Sequence, residues 1–283
     1  MAVRLIVDSA SDILPEKAEA LGIVHCPLKV VFGSHEYRDA VDLSHRRFYE
    51  LLIESDTLPT TCQVSPAEFS KALEKATENG DEAIVITLSS KLSGTYQSAV
   101  IAAEEYEGRA FVVDSESVAM GEQILVMRAL ELCREGLSAE KIVECLNREK
   151  QQIRLMALLD TLEYLKKGGR ISSAVAFAGG LLAIKPVVAV EDGAVTMVGK
   201  ARGSKQGNNL LRELVEKSRG IDFGKPVCLG YSGLNDELLR KYIADSAELW
   251  QGHIDSLPIA TVGCAIGTHV GPGAVAVAFF EKE

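Results

Sequence analysis

Two hydroxyl-rich segments of this chain carry side chains suited to holding an anion. Thr60-Thr61-Cys62-Gln63-Val64 runs into Ser65-Pro66-Ala67-Glu68, a capping box with Pro at the first helical position. Leu88-Ser89-Ser90-Lys91-Leu92-Ser93-Gly94-Thr95 joins an apolar strand to a helical pattern that begins near Gly94. Unpaired N–H groups and the dipole at helix entrances, with neutral hydroxyls around them, suit a single carboxylate or phosphate that must later leave. An Arg clamp would hold the same anion more permanently. A plainer reading stands beside this one, in which Ser65 and Ser93 only cap helices.

Other chemistries find less support. Gly230-Tyr231-Ser232-Gly233-Leu234 lacks the last Gly of a nucleophile elbow, and neither a phosphate-binding Walker loop nor HExxH occurs. Gly271-Pro272-Gly273 with Ala276 fits GxGxxA, but an apolar strand follows instead of a helix able to receive a pyrophosphate. The five histidines show no pair at i, i+3 or i+4, so no metal site is expected. Asp8-Ser9-Ala10-Ser11-Asp12 reads as a strand end followed by an Asp-capped helix. The six cysteines include no CxxC and read as reduced thiols.

The elements that must position these residues form an α/β pattern. Strands are expected at 4–7, 82–88, 110–114 and 155–159, alternating with helical periodicity at 43–54, 66–79, 94–106, 122–134 and 139–151, which predicts a mostly parallel sheet. Beyond about residue 160 the pattern changes. Residues 186–190 and 194–198 flank Glu191-Asp192-Gly193 as a hairpin, followed by helices at 204–218 and 237–250 and strands at 227–231, 259–264 and 274–280. The expectation is two lobes, an N-terminal α/β domain over 1–160 and a C-terminal α+β domain over 161–283, with a ligand at their interface.

The chain has 283 residues, 47% of them hydrophobic, and a net charge of −10, which excludes disorder and makes nucleic acid a poor partner. Asp8 and Asp12 interrupt the N-terminus before a secretory segment could form, so a cytoplasmic location is expected. Ser256 to Phe280 is free of Asp, Glu, Lys and Arg. Its prolines and glycines favour two buried strands around a Gly-rich loop over a membrane span. Between Tyr164 and Lys205, seven Lys and Arg face only Glu191 and Asp192, so a basic island lies in an acidic chain. Such an island attracts a negatively charged partner or remains a solvated face.

Six segments in order carry a resemblance over essentially the whole length. They are Val7-Asp8-Ser9-Ala10-Ser11-Asp12, Ser89-Ser90-Lys91-Leu92-Ser93-Gly94-Thr95-Tyr96-Gln97-Ser98-Ala99, Asp114-Ser115, Leu162-Glu163-Tyr164-Leu165-Lys166-Lys167-Gly168-Gly169-Arg170-Ile171-Ser172, Ile184-Lys185-Pro186, and Gly267-Thr268-His269-Val270-Gly271-Pro272-Gly273-Ala274. On these the chain resembles the DegV family of bacterial fatty-acid-binding proteins, FakB-like partners of fatty acid kinase. Where that family usually reads T-S-Q-P-S, this chain has Thr61-Cys62-Gln63-Val64-Ser65, so the Thr is kept and the Pro is not.

The resemblance implies a carrier without catalytic residues or cofactor, binding a long-chain fatty acid such as hexadecanoate or octadecanoate. It assigns the carboxylate to Thr61, Ser93 and His269, with Ser65, Gly94, Thr95, Gly271 and Gly273 supporting the loops. The apolar segment 174–184, with Phe177, Leu181, Leu182 and Ile184, is the expected wall for the acyl tail. Arg170 and Arg202 are expected to engage the kinase. The implied partners are an ATP-dependent fatty acid kinase and an acyltransferase of phospholipid synthesis. A small-molecule kinase or hydrolase of related fold, or a lipid-sensing regulator, are the alternative readings.

Overall fold

Four short apolar runs pair in parallel to make the first sheet. In the computed structural model, which describes residues 2–172 and 184–283, strands β1 (Val3–Asp8), β2 (Val24–Cys26), β6 (Glu82–Thr87) and β7 (Ala110–Asp114) lie in the order β2-β1-β6-β7. The central strands β1 and β6 are covered on both faces by helices, which is why Leu5, Ile6, Val7 and Ala83 to Ile86 read as continuous apolar runs. The expected helices are present as α2 (His45–Glu54), α3 (Pro66–Thr77), α4 (Thr95–Ala103), α5 (Met120–Arg134) and α6 (Ala139–Glu149), following a short α1 (Pro15–Ala20). At Ser65 the capping box forms as expected: its Oγ accepts the Glu68 N–H while the Glu68 carboxylate accepts the Ser65 N–H.

The second lobe is a six-stranded sheet in the order β10 (Ala194–Arg202), β9 (Ile184–Glu191), β8 (Ile153–Leu158), β13 (Val275–Phe280), β11 (Cys228–Tyr231), β12 (Ile259–Thr261). The expected hairpin turns at Asp192 and Gly193, with φ of 49° and 77°, the doubly positive pair that suits a two-residue hairpin. The strand expected at 155–159 belongs here and not in the parallel sheet, running antiparallel to both β13 and β9. A short apolar run carries no mark of the sheet it will join, and its partner β13 is far downstream. Helices α7 (Glu163–Lys167), α8 (Gly203–Glu216) and α9 (Glu237–Asp245) accompany this sheet, whose core includes Leu211, Leu229, Tyr242, Trp250 and Phe279. Between the lobes, α5 packs on β1 and β6 of one sheet and on β8, β11 and β13 of the other.

Two features depart from the sequence pattern. A third sheet, β4 (His35–Arg38), β3 (Lys29–Phe32) and β5 (Thr60–Cys62), uses strands of three or four residues, too short for a period to register. The expected strand at 259–264 stops at Thr261, and Cys264 instead opens helix α10 (Cys264–Val270) where a Gly-rich loop was expected. No side chain near Gly263 caps this helix. The cap comes from Asp39, whose Oδ1 accepts the Cys264 N–H at 2.9 Å and whose Oδ2 accepts the Ala265 N–H at 3.1 Å and the Ser9 hydroxyl at 3.1 Å. Asp12 Oδ1 accepts the Gly263 N–H at 2.8 Å.

α10 lies on Phe48 and Tyr49 through Gly267, where a β-carbon would sit 2.6 Å from Phe48 Cε1 and 2.7 Å from Tyr49 Oη. Among the described residues no helix is long and apolar enough to cross a membrane.

Asp39→Ala strands two buried N–H groups and one hydroxyl, each costing about 1–3 kcal/mol when unpartnered, so the expected stability loss is about 3 kcal/mol or more. Equilibrium urea unfolding reads this directly. Asp39→Asn, which retains an acceptor oxygen, is expected to lose clearly less.

Candidate functional site

The loop after β6, strand β5 and the last turn of α10 converge on a cavity of about 150 Å³ at the lobe interface. Thr61 enters it from β5, where it pairs with Val30 of β3. Ser93 enters from the loop and His269 from α10, and all three side chains are half-buried. Thr61 Oγ1 lies 3.0 Å from His269 Nε2. Ser93 Oγ lies 2.9 Å from Thr95 Oγ1 and accepts the Thr95 N–H at 3.2 Å.

The loop is held from both lobes. Asp8 Oδ2 accepts the Leu88 N–H at 2.9 Å, and the Ser89 hydroxyl donates to the carbonyl of Gly193, in the β9–β10 turn, at 2.6 Å. Asp8 also caps the 3₁₀ turn Ser9–Ser11 by accepting the Ala10 N–H, so this segment is the Asp-capped turn expected. Burial raises the Asp8 carboxyl to about 7 while the two N–H groups oppose that rise.

His269 is kept neutral near pH 7. Burial pushes its imidazole down to about 4, and the neighbouring Arg170 charge adds to the shift. A neutral ring offers one donor and one acceptor. Thr61 meets Nε2, while Nδ1 is buried without a partner and lies against Gly168, where a β-carbon would collide with it. Gly168 thus admits the ring.

Arg170 lines the same cavity, donating from Nε to the Leu92 carbonyl at 3.1 Å and from Nη1 to the Gly168 carbonyl at 2.7 Å. The cavity wall therefore contains a guanidinium beside the hydroxyls that the sequence singled out.

A second, apolar cavity of about 60 Å³ lies against β8, β9, β10 and β13 of the second sheet, closed by the start of α5 and by α10. Val118, Leu165, Val195, Ile266 and Val270 line both cavities, so the hydroxyls stand next to an aliphatic interior. Of the residues expected to wall an acyl tail, Phe177, Leu181 and Leu182 lie outside the described residues. Ile184 is half-buried at the start of β9, paired with Arg202, and lines neither cavity.

Gly94 borders the polar cavity, whereas Ser65 is occupied in its capping box. Gly271 (φ 70°) and Gly273 (φ 85°) turn the chain from α10 into β13, with Gly271 pressed on the Tyr164 ring and its carbonyl accepting the Ser232 hydroxyl at 2.6 Å.

Arg202 is exposed at the end of β10, flanked by exposed Lys200 and Lys205. Elsewhere in the basic island Lys167 pairs with Glu163 at 2.5 Å and Lys185 pairs with Asp160. The exposed positive charge is thereby narrower than the sequence count implied.

Gln63 is a site residue the sequence reading passed over. Its side chain crosses the bare face of Gly94 and donates from Nε2 to Ser98 Oγ at 2.8 Å, tying the segment just after β5 to α4. The available signal was a Gly at a helix entrance facing a polar loop. Asp39, His45 and Cys264 bring a carboxylate oxygen, an imidazole nitrogen and a thiol within 4.8 Å of one another, a set of metal-ligating types. Both Asp39 oxygens are engaged in holding α10, and the Cys264 thiol donates to the Leu43 carbonyl at 3.4 Å.

Comparison with known proteins settles the family. The sequence profile described as "Uncharacterised protein, DegV family" matches residues 2–282. The chain belongs to the DegV family. A DegV domain-containing protein of Deinococcus radiodurans is 38% identical over 278 residues, 98% of each chain. Among solved structures, a DegV family protein from Thermus thermophilus, described by its fatty acid binding, aligns over 100% of both chains with a TM-score of 0.88 and 32% identity. DegV of Bacillus subtilis, described as a fatty acid binding protein, aligns over 100% of both chains with a TM-score of 0.85 and 31% identity.

The depressed His269 value has a measurable sign. Because its folded-state pKa lies below the ordinary 6.5, its contribution to stability is present above 6.5 and is lost as pH falls from there towards about 4. An NMR titration of the His269 ring is expected to show a midpoint near 4, and His269→Gln should flatten the stability loss across that interval.

Proposed function

We propose that this protein binds one long-chain fatty acid, with the carboxylate at Thr61, Ser93 and His269 and the tail in the adjoining apolar cavity on the second sheet. The observation that carries this reading is a hydroxyl-lined cavity that shares one wall with an aliphatic cavity beside it. Solved relatives described as fatty-acid-binding support it. Each buried methylene is worth about 0.8 kcal/mol, so a tail the length of hexadecanoate or octadecanoate supplies most of the affinity and the head group need only orient.

A carboxylate held by two hydroxyls and a neutral imidazole, with Arg170 nearby, remains a nucleophile for phosphoryl transfer. On this reading the protein is a cytoplasmic carrier and not an enzyme. An ATP-dependent fatty acid kinase transfers the γ-phosphoryl group to the presented carboxylate oxygen and releases ADP. The acyl phosphate then passes to an acyltransferase of phospholipid synthesis. Arg202, with Lys200 and Lys205 beside it, offers the exposed positive face for docking the kinase, and Arg170 connects that function to the head cavity.

Mass spectrometry of organic extracts from the purified protein tests the ligand class: a stoichiometric fatty acid is expected, and a protein that neither carries nor takes up fatty acid overturns the reading. Each hydroxyl is expected to contribute about 1 kcal/mol, roughly fivefold in affinity. Thr61→Ala with Ser93→Ala should therefore weaken fatty acid binding more than either change alone. Arg202→Ala should leave lipid binding intact while lowering acyl-phosphate formation with the kinase, and a loss of lipid binding would place Arg202 in the ligand site instead.

A further inference from the structure

One residue lining the apolar cavity differs in kind from its neighbours. Apart from Met120, its lining consists of Ala, Val, Leu and Ile. Met120 is fully buried, borders the apolar cavity and does not reach the polar-walled one. Its unbranched thioether has three rotatable bonds and adapts to irregular space, unlike the stiff β-branched residues around it.

Two independent features fix where that side chain ends. Across the lobe boundary its Sδ and Cε lie on the bare face of Gly230 in β11, so close that a β-carbon at 230 would overlap them. On its own side, Met120 opens α5 directly after Ala119, whose φ of 52° and ψ of −131° belong to a region that L-residues rarely adopt. The Ala119 N–H donates to the Ala10 carbonyl at 2.7 Å, pinning this conformation. The strained residue aims the first side chain of α5 across the gap, and the glycine receives it.

We propose that Met120, seated on Gly230, is the adjustable stop that sets how long an acyl chain this protein accepts. The inference rests on the fatty-acid reading above and adds to it the residue pair that selects the ligand. A tail that extends beyond the walls common to both cavities comes up against the Met120 thioether. Shortening that side chain lengthens the apolar cavity, and filling the Gly230 cradle pushes the thioether back into it.

The test is competition among an equimolar series of straight-chain saturated fatty acids from dodecanoate to icosanoate, with bound species quantified by mass spectrometry after the complex is isolated. Met120→Ala removes three heavy atoms and is expected to move the preferred chain about two carbons longer, changing the ratio of long to short species roughly tenfold or more. Gly230→Ala is expected to move it shorter, and the double variant to recover the longer preference. An unchanged preference in Met120→Ala overturns the proposal while leaving the fatty-acid reading intact. If the unmodified protein takes up none of the series, the fatty-acid reading falls and this proposal falls with it. Should Gly230→Ala fail to fold, Met120→Ala decides alone, because it deletes atoms without adding any.

Discussion

Asp39 stands in the first lobe, and yet its carboxylate is the acceptor on which the C-terminal helix Cys264–Val270 begins. Two backbone N–H groups and the Ser9 hydroxyl converge on its oxygens, while Asp12 takes the N–H just ahead of them. The last turn of that helix presents His269 to Thr61. A buried carboxylate is expensive unless its lone pairs are used, and here they are spent on donors that no local side chain satisfies. The folded protein thus places the polar end of its cavity by a bond between residues 225 positions apart. The Phe48–Tyr49 pair and the missing side chain at Gly267 then fix how deeply the helix sits.

This long-range cap also marks the limit of what a sequence can disclose. The parallel core was legible because β1, β6 and β7 are apolar runs between amphipathic helices, and the capping box at Ser65 and the Asp192-Gly193 turn are local chemistry. The helix at Cys264 was not, because its cap lies elsewhere in the chain and its buried surface lacks a polar face to create a period. Three-residue strands such as Thr60–Cys62 carry too few side chains to alternate. For the site, Thr61, Ser93 and His269 were legible through the family motifs, and they do line one cavity. Arg170 was expected to engage the kinase, and its place in the cavity wall was not legible because its bond to the Leu92 carbonyl joins residues 78 positions apart.

The electrostatics of the cavity follow from the same packing. Burial strips the proton from His269 well above its shifted value, so the positive charge at the wall belongs to Arg170, which is tethered to backbone carbonyls by two of its nitrogens. A fixed guanidinium beside a neutral imidazole gives attraction without a bidentate grip. On the proposed function, such a site suits a carboxylate that arrives and departs over one locked in place.

Helix α5 lies against both sheets at once. Both cores therefore share one wall, and swinging the lobes apart would expose the inner residues of that helix to water. Rigid-body opening is a costly route to the interior. On the proposed function, a fatty acid would therefore exchange by local loosening around the cavity, at a rate set by local contacts and not by the global unfolding free energy.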